Sequence, residues 1–137
     1  MLHLQTNTIG PIITAQKLLA TGIKIGLIVF ISSDSGSASR FNDFEDGFAA
    51  YAASKAALNQ ALRHMAAELK KRSSSTAVIA LHPGEVRTDM ADIMVDWEVQ
   101  GQMTVSESVQ QCLKTIMDRT TEDNGTFWTW QNEQYPW

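Results

Sequence analysis

The sequence predicts an α/β fold, with a parallel sheet of about three strands and flanking helices. Helical and extended patterns alternate along the chain in the order helix, strand, helix, strand, helix, strand. Two of the three extended runs are almost continuously apolar, which is typical of strands buried on both faces of a parallel sheet. Alternation of this kind favours neighbouring strands that are connected by helices, with any functional site at the carboxyl ends of the strands.

The first half of the chain begins with a predicted helix and strand. Apolar residues spaced three and four apart predict a helix over residues 4–19, with a bend near Gly10-Pro11 and a stop at Gly22. The β-branched and aromatic run at 25–31 predicts a strand buried on both faces. Residues 32–47 are rich in Ser, Asp, Asn and Gly, so they predict a loop.

The second half repeats the alternation. Residues 49–72 predict the longest helix because alanines and spaced leucines precede a basic end, and residues 76–81 predict a second buried strand. The mixed stretch 86–103 predicts a short helix inside a mobile loop, and residues 125–130 predict a third strand. Between them, Thr104-Val-Ser-Glu107 fits a capping box ahead of an apolar helical stripe made of Val105, Val109, Cys112, Leu113 and Ile116.

Composition limits the class of protein. The 137 residues are 44% hydrophobic and 19% charged, which is ordinary for one soluble domain. A net charge of −4 argues against nucleic acid as a partner. The single cysteine, Cys112, excludes an internal disulfide and is interpreted as a small apolar filler. The sequence has neither an apolar run of about 18 residues nor a signal-peptide pattern, so we expect a cytoplasmic protein without membrane association.

The chemistry of the sequence is concentrated at the two predicted strand ends. The first strand runs into Ser32-Ser33-Asp34-Ser35-Gly36, and the following helix opens with Tyr51 and Lys55. Residues four apart on a helix share one face. A lysine ammonium near a phenol stabilises the phenolate and lowers the tyrosine pKa, so such a tyrosine can exchange a proton near neutral pH. A Tyr-x-x-x-Lys pair alone is most often part of an ordinary helix face. Here the pair lies between two predicted buried strands, and this position favours a functional interpretation.

With these motifs in this order, the sequence resembles the short-chain dehydrogenase/reductase family over essentially the whole chain. The matching pieces are residues 7–11 (NTIGP), 31–36 (ISSDSG), 51–58 (YAASKAAL) and 83–88 (PGEVRT). The tail, from residues 125–127 to 135–137, resembles the C-factor and sniffer-like carbonyl reductase branch. The resemblance implies that the sheet is the C-terminal portion of a Rossmann-like sheet.

The resemblance also implies a role for individual residues in an NAD(P)-dependent oxidoreductase that acts on a carbonyl or secondary alcohol. Tyr51 would be the general acid and base, and Lys55 would lower its pKa and bind the nicotinamide ribose. Ser33 would hold the substrate oxygen, and Asn7 would support a water-linked proton relay toward Lys55. The cofactor, NAD or NADP, would be bound by Tyr51, Lys55, Pro83, Gly84, Val86 and Thr88.

One family feature is absent from the sequence, namely the Gly-x-x-x-Gly-x-Gly turn that binds the cofactor pyrophosphate. We therefore expect residues 1–137 to be the C-terminal catalytic half of a domain whose nucleotide-binding half is missing. Truncation is expected to impair activity and to leave the 25–31 strand with an open edge. The alternative is a non-catalytic remnant that acts through association of the helices at 4–19 and 49–72, and this association would also make a homo-oligomer. A serine hydrolase is set aside because none of the serines at 32, 33 and 35 follows the glycine of a nucleophile elbow.

Several other residues keep two interpretations. Asn7 is either a relay residue or a residue at a helix start or turn. Ser33 is either a substrate binder or a loop hydrogen-bonder. His82 is interpreted as packed or capping, and no metal site is expected because His3 and His64 lack partners at ligand spacing. Around Trp97, residues 90–97 are a lid over the substrate or part of the core. The C-terminal tryptophans are interpreted as packing residues: Trp128, Trp130 and Trp137.

Overall fold

The computed structural model describes residues 2–41, 47–88 and 101–137. Among these residues no helix has both the length and the apolar character needed to cross a bilayer. The elements follow the predicted alternation, with these bounds in chain order: α1 (Leu2–Leu4), a π-helical segment (Gln5–Ile9), α2 (Gly10–Ala20), β1 (Leu27–Ile31), a 3-10 turn (Asp34–Gly36), α3 (Ala49–Lys71), β2 (Ala77–His82), α4 (Val105–Met117), a second 3-10 turn (Thr121–Asp123) and β3 (Phe127–Thr129).

The three strands form one parallel sheet in the order β1-β2-β3. Leu27 pairs with Ala77 at one end of the β1–β2 ladder, and Ala80 pairs with Phe127 in the β2–β3 ladder. This sheet confirms the predicted α/β class. It also brings the carboxyl ends of β1 and β2 to the same edge, where the sequence predicted the site.

The two apolar strands differ in burial. Every residue of β2 is buried, whereas in β1 Phe30 alone is fully buried and Ile31 is 52% exposed. The prediction that both faces of the 25–31 strand are buried is therefore wrong. The reason is the position of β1 at the edge of the described sheet, where β2 is its single neighbouring strand. The predicted open edge is thus present in the described residues.

The N-terminal helix contains an irregular turn beside the functional edge. In the π-helical segment the Gly10 amide donates to the Gln5 carbonyl, five residues earlier. The segment ends at Ile9, just before the Gly10-Pro11 pair, and Pro11 has no amide hydrogen to continue a regular helical ladder. The sequence predicted a bend at this pair. The helix then ends at Ala20, and Gly22 follows with a φ of +76°, as its predicted role as a stop requires.

The core lies between α3 and one face of the sheet. The buried face of α3 repeats at helical spacing, as the sequence predicted for 49–72. Two aromatic residues of the tail pack on Phe127, Trp137 by stacking and Tyr135 edge-on. This position agrees with the packing role expected for Trp137. The buried core residues are Ala15, Phe30, Leu58, Leu62, Ala66, Leu69, Val78, Ala80 and Phe127.

The capping box of α4 is present, but its buried face is not the predicted one. The Thr104 hydroxyl accepts from the Glu107 amide, and the Glu107 carboxylate accepts from the Thr104 amide. Ser108 and Thr115 are buried, whereas three members of the predicted stripe are about half exposed, namely Val105, Val109 and Leu113. The polar pair can be buried because Ser108 donates to the Pro83 carbonyl and Thr115 donates to the Trp130 carbonyl, at 2.8 and 3.2 Å.

The stretch 86–103 is described only at its two ends. Val86 and Met103 form an isolated parallel bridge, in which the Arg87 amide donates to the Met103 carbonyl and the Met103 amide donates to the Glu85 carbonyl. The short helix and the lid interpretation of residues 90–97, Trp97 included, lie outside the described residues.

Candidate active site

Ser33 lies at the carboxyl end of β1, in a turn that its own side chain stabilises. The Ser32 amide donates to the Leu81 carbonyl at 2.8 Å, which keeps the chain paired with β2 one residue past the strand. The Ser33 hydroxyl accepts from the Ser35 amide and donates to Asp34 Oδ1 at 3.2 Å. Ser33 is therefore buried and oriented at the strand end where the sequence placed it.

The turn after β1 lies directly against α3. A Cβ on Gly36 would come within 2.8 Å of both the carbonyl carbon and the Cβ of Lys55, so the position has no room for a larger residue. Asn59 bridges the same contact, since its amide donates to the Gly36 carbonyl at 3.1 Å and its Oδ1 accepts from the Ser32 hydroxyl at 2.6 Å. Sequence reasoning missed Asn59 because its two partners lie more than twenty residues earlier, and no local periodicity marks it.

Lys55 connects α3 to β1 at this edge. Its ammonium donates to the Ile31 carbonyl at 2.9 Å, two residues before Ser33. The same nitrogen lies 5.7 Å from the centre of the Tyr51 ring, so the two residues share the predicted helix face. Burial lowers the pKa of Lys55, because removing an ammonium from water disfavours its charged form.

Asn7 approaches the same helix from the π-helical segment. Its amide donates to the Ser54 hydroxyl at 3.1 Å, and the Thr8 hydroxyl donates to the Ser54 carbonyl at 2.7 Å. Ser54 in turn donates to the Tyr51 carbonyl at 2.7 Å and is completely buried. The structure thus joins Asn7 to the turn of α3 that carries Tyr51 and Lys55.

The turn after β2 forms the other side of the edge. Gly84 has a φ of +82°, and a Cβ at this position would collide with Met103 and with the Trp130 ring. Pro83 is fixed through its carbonyl to Ser108, and Val86 is held at the bridge to Met103. Thr88 is exposed and is the last residue of the described range 47–88. Glycine is therefore required at 84 both for its backbone conformation and for this close packing.

His82 also faces this edge, although the sequence assigned it no chemistry. The Asp34 amide donates to His82 Nδ1 at 3.4 Å, and Asp34 Oδ1 lies 3.6 Å from the same nitrogen. Glu85 completes a group whose ligand atoms all lie within 4.8 Å of one another. The burial of His82 agrees with the expectation that it is a packed or capping residue. The cluster could not be predicted from the spacing of metal ligands along the chain, because Asp34 is far from His82 and Glu85 in sequence.

This arrangement defines a class of protein: an α/β domain with a Tyr-Lys pair on a helix that packs against a serine turn at the end of a parallel strand. Residues 2–99 match the family model of the short chain dehydrogenases. The chain belongs to the short-chain dehydrogenase/reductase family of oxidoreductases.

Relatives agree with this assignment. An uncharacterized oxidoreductase of Schizosaccharomyces pombe is 33% identical over 147 residues, covering 98% of this chain and 56% of the relative. C-signal of Myxococcus xanthus is 31% identical over 134 residues, covering 96% of this chain and 74% of that protein. The chain thus spans about half the length of the oxidoreductase and more of C-signal.

Two solved structures extend the comparison to the fold. The NADPH-bound carbonyl reductase from chicken fatty liver matches with a TM-score of 0.82 and 30% identity, over 98% of this chain and 55% of that one. The carbonyl reductase Sniffer of Drosophila melanogaster matches with a TM-score of 0.78 and 28% identity, again over 98% and 55%. These matches confirm the family resemblance, including its C-factor and sniffer-like branch.

Proposed function

We propose that the chain carries the proton-transfer and substrate-binding part of an NAD(P)-dependent oxidoreductase that interconverts a small carbonyl compound and its alcohol. Tyr51 acts as general acid in reduction and general base in oxidation. Ser33 holds the substrate oxygen, and Asn7 supports a water-linked relay toward Lys55. The observation that carries the proposal is the position of the Lys55 ammonium, 5.7 Å from the Tyr51 ring and bonded to the strand that leads to Ser33.

The electrostatics of this arrangement suit proton transfer. A cation beside the phenol ring favours the phenolate, which allows Tyr51 to give and take a proton under mild conditions. The buried Lys55 is fixed by the Ile31 carbonyl, so its charge does not have to be positioned during the reaction. Ser33 is oriented by its turn, and it has a hydroxyl that can turn from Asp34 toward a substrate oxygen.

The residues at this edge fit the nicotinamide end of a dinucleotide. A buried ammonium, a phenol and the backbone of a strand-end turn meet where parallel sheets bind such ligands. Tyr51 and Lys55 would bind the ribose, and the remaining contacts would come from Pro83, Gly84, Val86 and Thr88. When bound, the cofactor supplies or accepts the hydride. The chicken carbonyl reductase is NADPH-bound, and the choice between NAD and NADP is left open for this chain.

The chain by itself is expected to bind the cofactor weakly. Its sequence has no Gly-x-x-x-Gly-x-Gly turn, so the contacts above recognise one end of the molecule and leave the pyrophosphate unbound. Each loss of about 1.4 kcal/mol of binding free energy costs a factor of ten in affinity. We therefore propose that residues 1–137 act as the catalytic half of a larger nucleotide-binding domain, and that alone they turn over little substrate.

A titration of the tag-free chain with NADPH and NADH tests this proposal. We expect amide signals of Lys55, Val86 and Thr88 to shift without saturating at micromolar cofactor, and carbonyl turnover to stay at background. Lys55→Met should remove the shifts, and Lys70→Met, an exposed lysine of the same helix, should retain them. Equal shifts in both variants would contradict the assigned site. Micromolar binding with steady turnover would contradict the weak-binding expectation.

The second candidate is a non-catalytic protein that associates through its helices, and one observation favours it. The N-terminal helix exposes a set of large apolar side chains, namely Leu2, Leu4, Ile9, Ile13 and Leu18. Such residues are typical of a surface that another protein covers. Self-association through this helix and α3 is compatible with the catalytic proposal as well.

Light scattering distinguishes the associating surface from general stickiness. Replacing Ile9 and Ile13 with lysine should convert an oligomer to a monomer, whereas Ile23→Lys, at a 69% exposed position after the helix, should not. A wild-type chain that is monomeric at high concentration would remove this candidate. The proposal also includes a cytoplasmic location and a small-molecule substrate, and the net charge of −4 argues against a nucleic-acid partner.

A further inference from the structure

Three side chains outside the Tyr51–Lys55 pair converge at the carboxyl ends of β1 and β2. Asp34 begins the turn after β1, His82 ends β2, and Glu85 follows one turn later. Their ligand atoms all lie within 4.8 Å of one another. We propose that these residues bind a divalent transition-metal ion of the Zn²⁺ class through one imidazole nitrogen and two carboxylate oxygens. The proposal does not depend on the reductase function.

The separation of the two inner ligands fits such an ion. Asp34 Oδ1 lies 3.6 Å from His82 Nδ1. Ligand atoms about 2.0–2.1 Å from a tetrahedral Zn²⁺ lie roughly 3.4 Å from one another. The pair therefore needs to move by only a few tenths of an ångström. Glu85 is exposed and its carboxylate lies within 4.8 Å of the other two ligand atoms, so the proposed site requires a rotation of its side chain toward the ion.

The surroundings hold the inner ligands in place. Asp34 Oδ1 accepts from the Ser35 amide at 3.0 Å and from the Ser33 hydroxyl at 3.2 Å. Outer-shell hydrogen bonds of this kind orient a metal-binding carboxylate. The Asp34 amide donates to His82 Nδ1, so this nitrogen carries a lone pair directed toward Asp34. That contact is long, at 3.4 Å, and can be exchanged for a metal bond.

The ligand set also selects the kind of ion. An imidazole favours Zn²⁺, Co²⁺, Ni²⁺ or Cu²⁺ over Mg²⁺ and Ca²⁺, which prefer oxygen ligands alone. Burial of the His82 side chain to 11% exposure limits competing solvent on the nitrogen side, and the exposed Glu85 leaves a path for the ion to enter. A bound ion would lie beside Ser33, because Ser33 donates to the same Asp34 oxygen that would bind it.

Titration of the tag-free chain with Co²⁺, followed by visible absorption and by competition with Zn²⁺, tests the site. The expected result is one saturable equivalent, with the imidazole signals of His82 shifting and those of His3 and His64 unchanged. Glu85→Gln should weaken Co²⁺ binding about tenfold or more, and His82→Ala should remove it. The matched control, His64→Ala, removes an exposed histidine of α3 and should bind as the wild type does.

Three outcomes would overturn the proposal. These are no saturable binding by the wild-type chain at millimolar Co²⁺, wild-type affinity in Glu85→Gln, and loss of binding in His64→Ala. Because His82 is buried, circular dichroism checks whether His82→Ala is folded. If His82→Ala is not folded, the test rests on the Co²⁺ affinity of Glu85→Gln, at an exposed position, and on the shifts of the histidine imidazole signals in the wild-type chain.

Discussion

Gly36→Ala tests the close contact between the turn that carries Ser33 and the helix that carries Lys55. The added Cβ would lie 2.8 Å from two Lys55 atoms, where ordinary contacts begin at 3.4 Å, so about 0.6 Å of separation is missing. Both atoms belong to or adjoin the α3 backbone and cannot rotate away. Overpacking of this kind costs typically 1–3 kcal/mol. We expect Gly36→Ala to lower the free energy of unfolding by about 2 kcal/mol.

Gly26→Ala is the matched control for this substitution. An added Cβ at Gly26 meets nothing within 4 Å, and the residue does not have a positive φ. Both variants restrict the unfolded chain equally, by about 0.4–1 kcal/mol, so their difference isolates the contact with Lys55. The assay is urea unfolding of the three chains. Equal midpoints for the two variants would refute the reasoning that the turn and α3 are in rigid contact.

Two further substitutions test the supports of the site and of α4. Asn59→Ala removes two buried hydrogen bonds and should lower the free energy of unfolding by about 2–4 kcal/mol. Gln60→Ala, at the exposed neighbouring position, is the control and should lower it by almost nothing in the same urea unfolding assay. A small loss for Asn59→Ala would show that water replaces the amide. Thr104→Ala should cost about 1 kcal/mol through loss of the helix cap, and an unchanged midpoint would contradict that role. The backbone hydrogen bond from Thr104 lowers the pKa of Glu107 below its usual 4.5. The ionised Glu107 therefore contributes to the stability of the folded chain above pH 4.5, and this contribution is lost as the pH falls through the lower pKa of the folded state. The Thr104 amide signal should therefore titrate below pH 4.5 and should be flat in Glu107→Gln.

The order of the elements could be predicted because their signals are local. The capping box at Thr104, the helical spacing in α3 and the apolar run of β2 each lie within one element. The Tyr51–Lys55 pair is local for the same reason, since one turn of helix fixes its geometry. Each of these features could therefore be predicted from its own residues, without knowing which other elements pack against it.

The features that the sequence did not reveal depend on contacts between distant residues. The exposure of β1 depends on its place in the strand order, which its own residues do not encode. The buried face of α4 carries Ser108 and Thr115 because carbonyls from two other elements accept their hydroxyl protons. Asn59 and the Asp34–His82–Glu85 group are likewise brought together by the fold, and no spacing along the chain marks them.

The most direct test of the central claim is carbonyl reduction by a chimera that joins the N-terminal half of the chicken carbonyl reductase to this chain. The TM-score of 0.82 over 98% of this chain makes the junction structurally reasonable. We expect NADPH-dependent turnover that Tyr51→Phe abolishes and that Tyr135→Phe, in the tail, preserves. An active chimera that is indifferent to Tyr51→Phe would contradict the assignment of Tyr51 as the proton donor. A folded chimera that binds NADPH without any turnover would show that this chain does not carry a catalytic site.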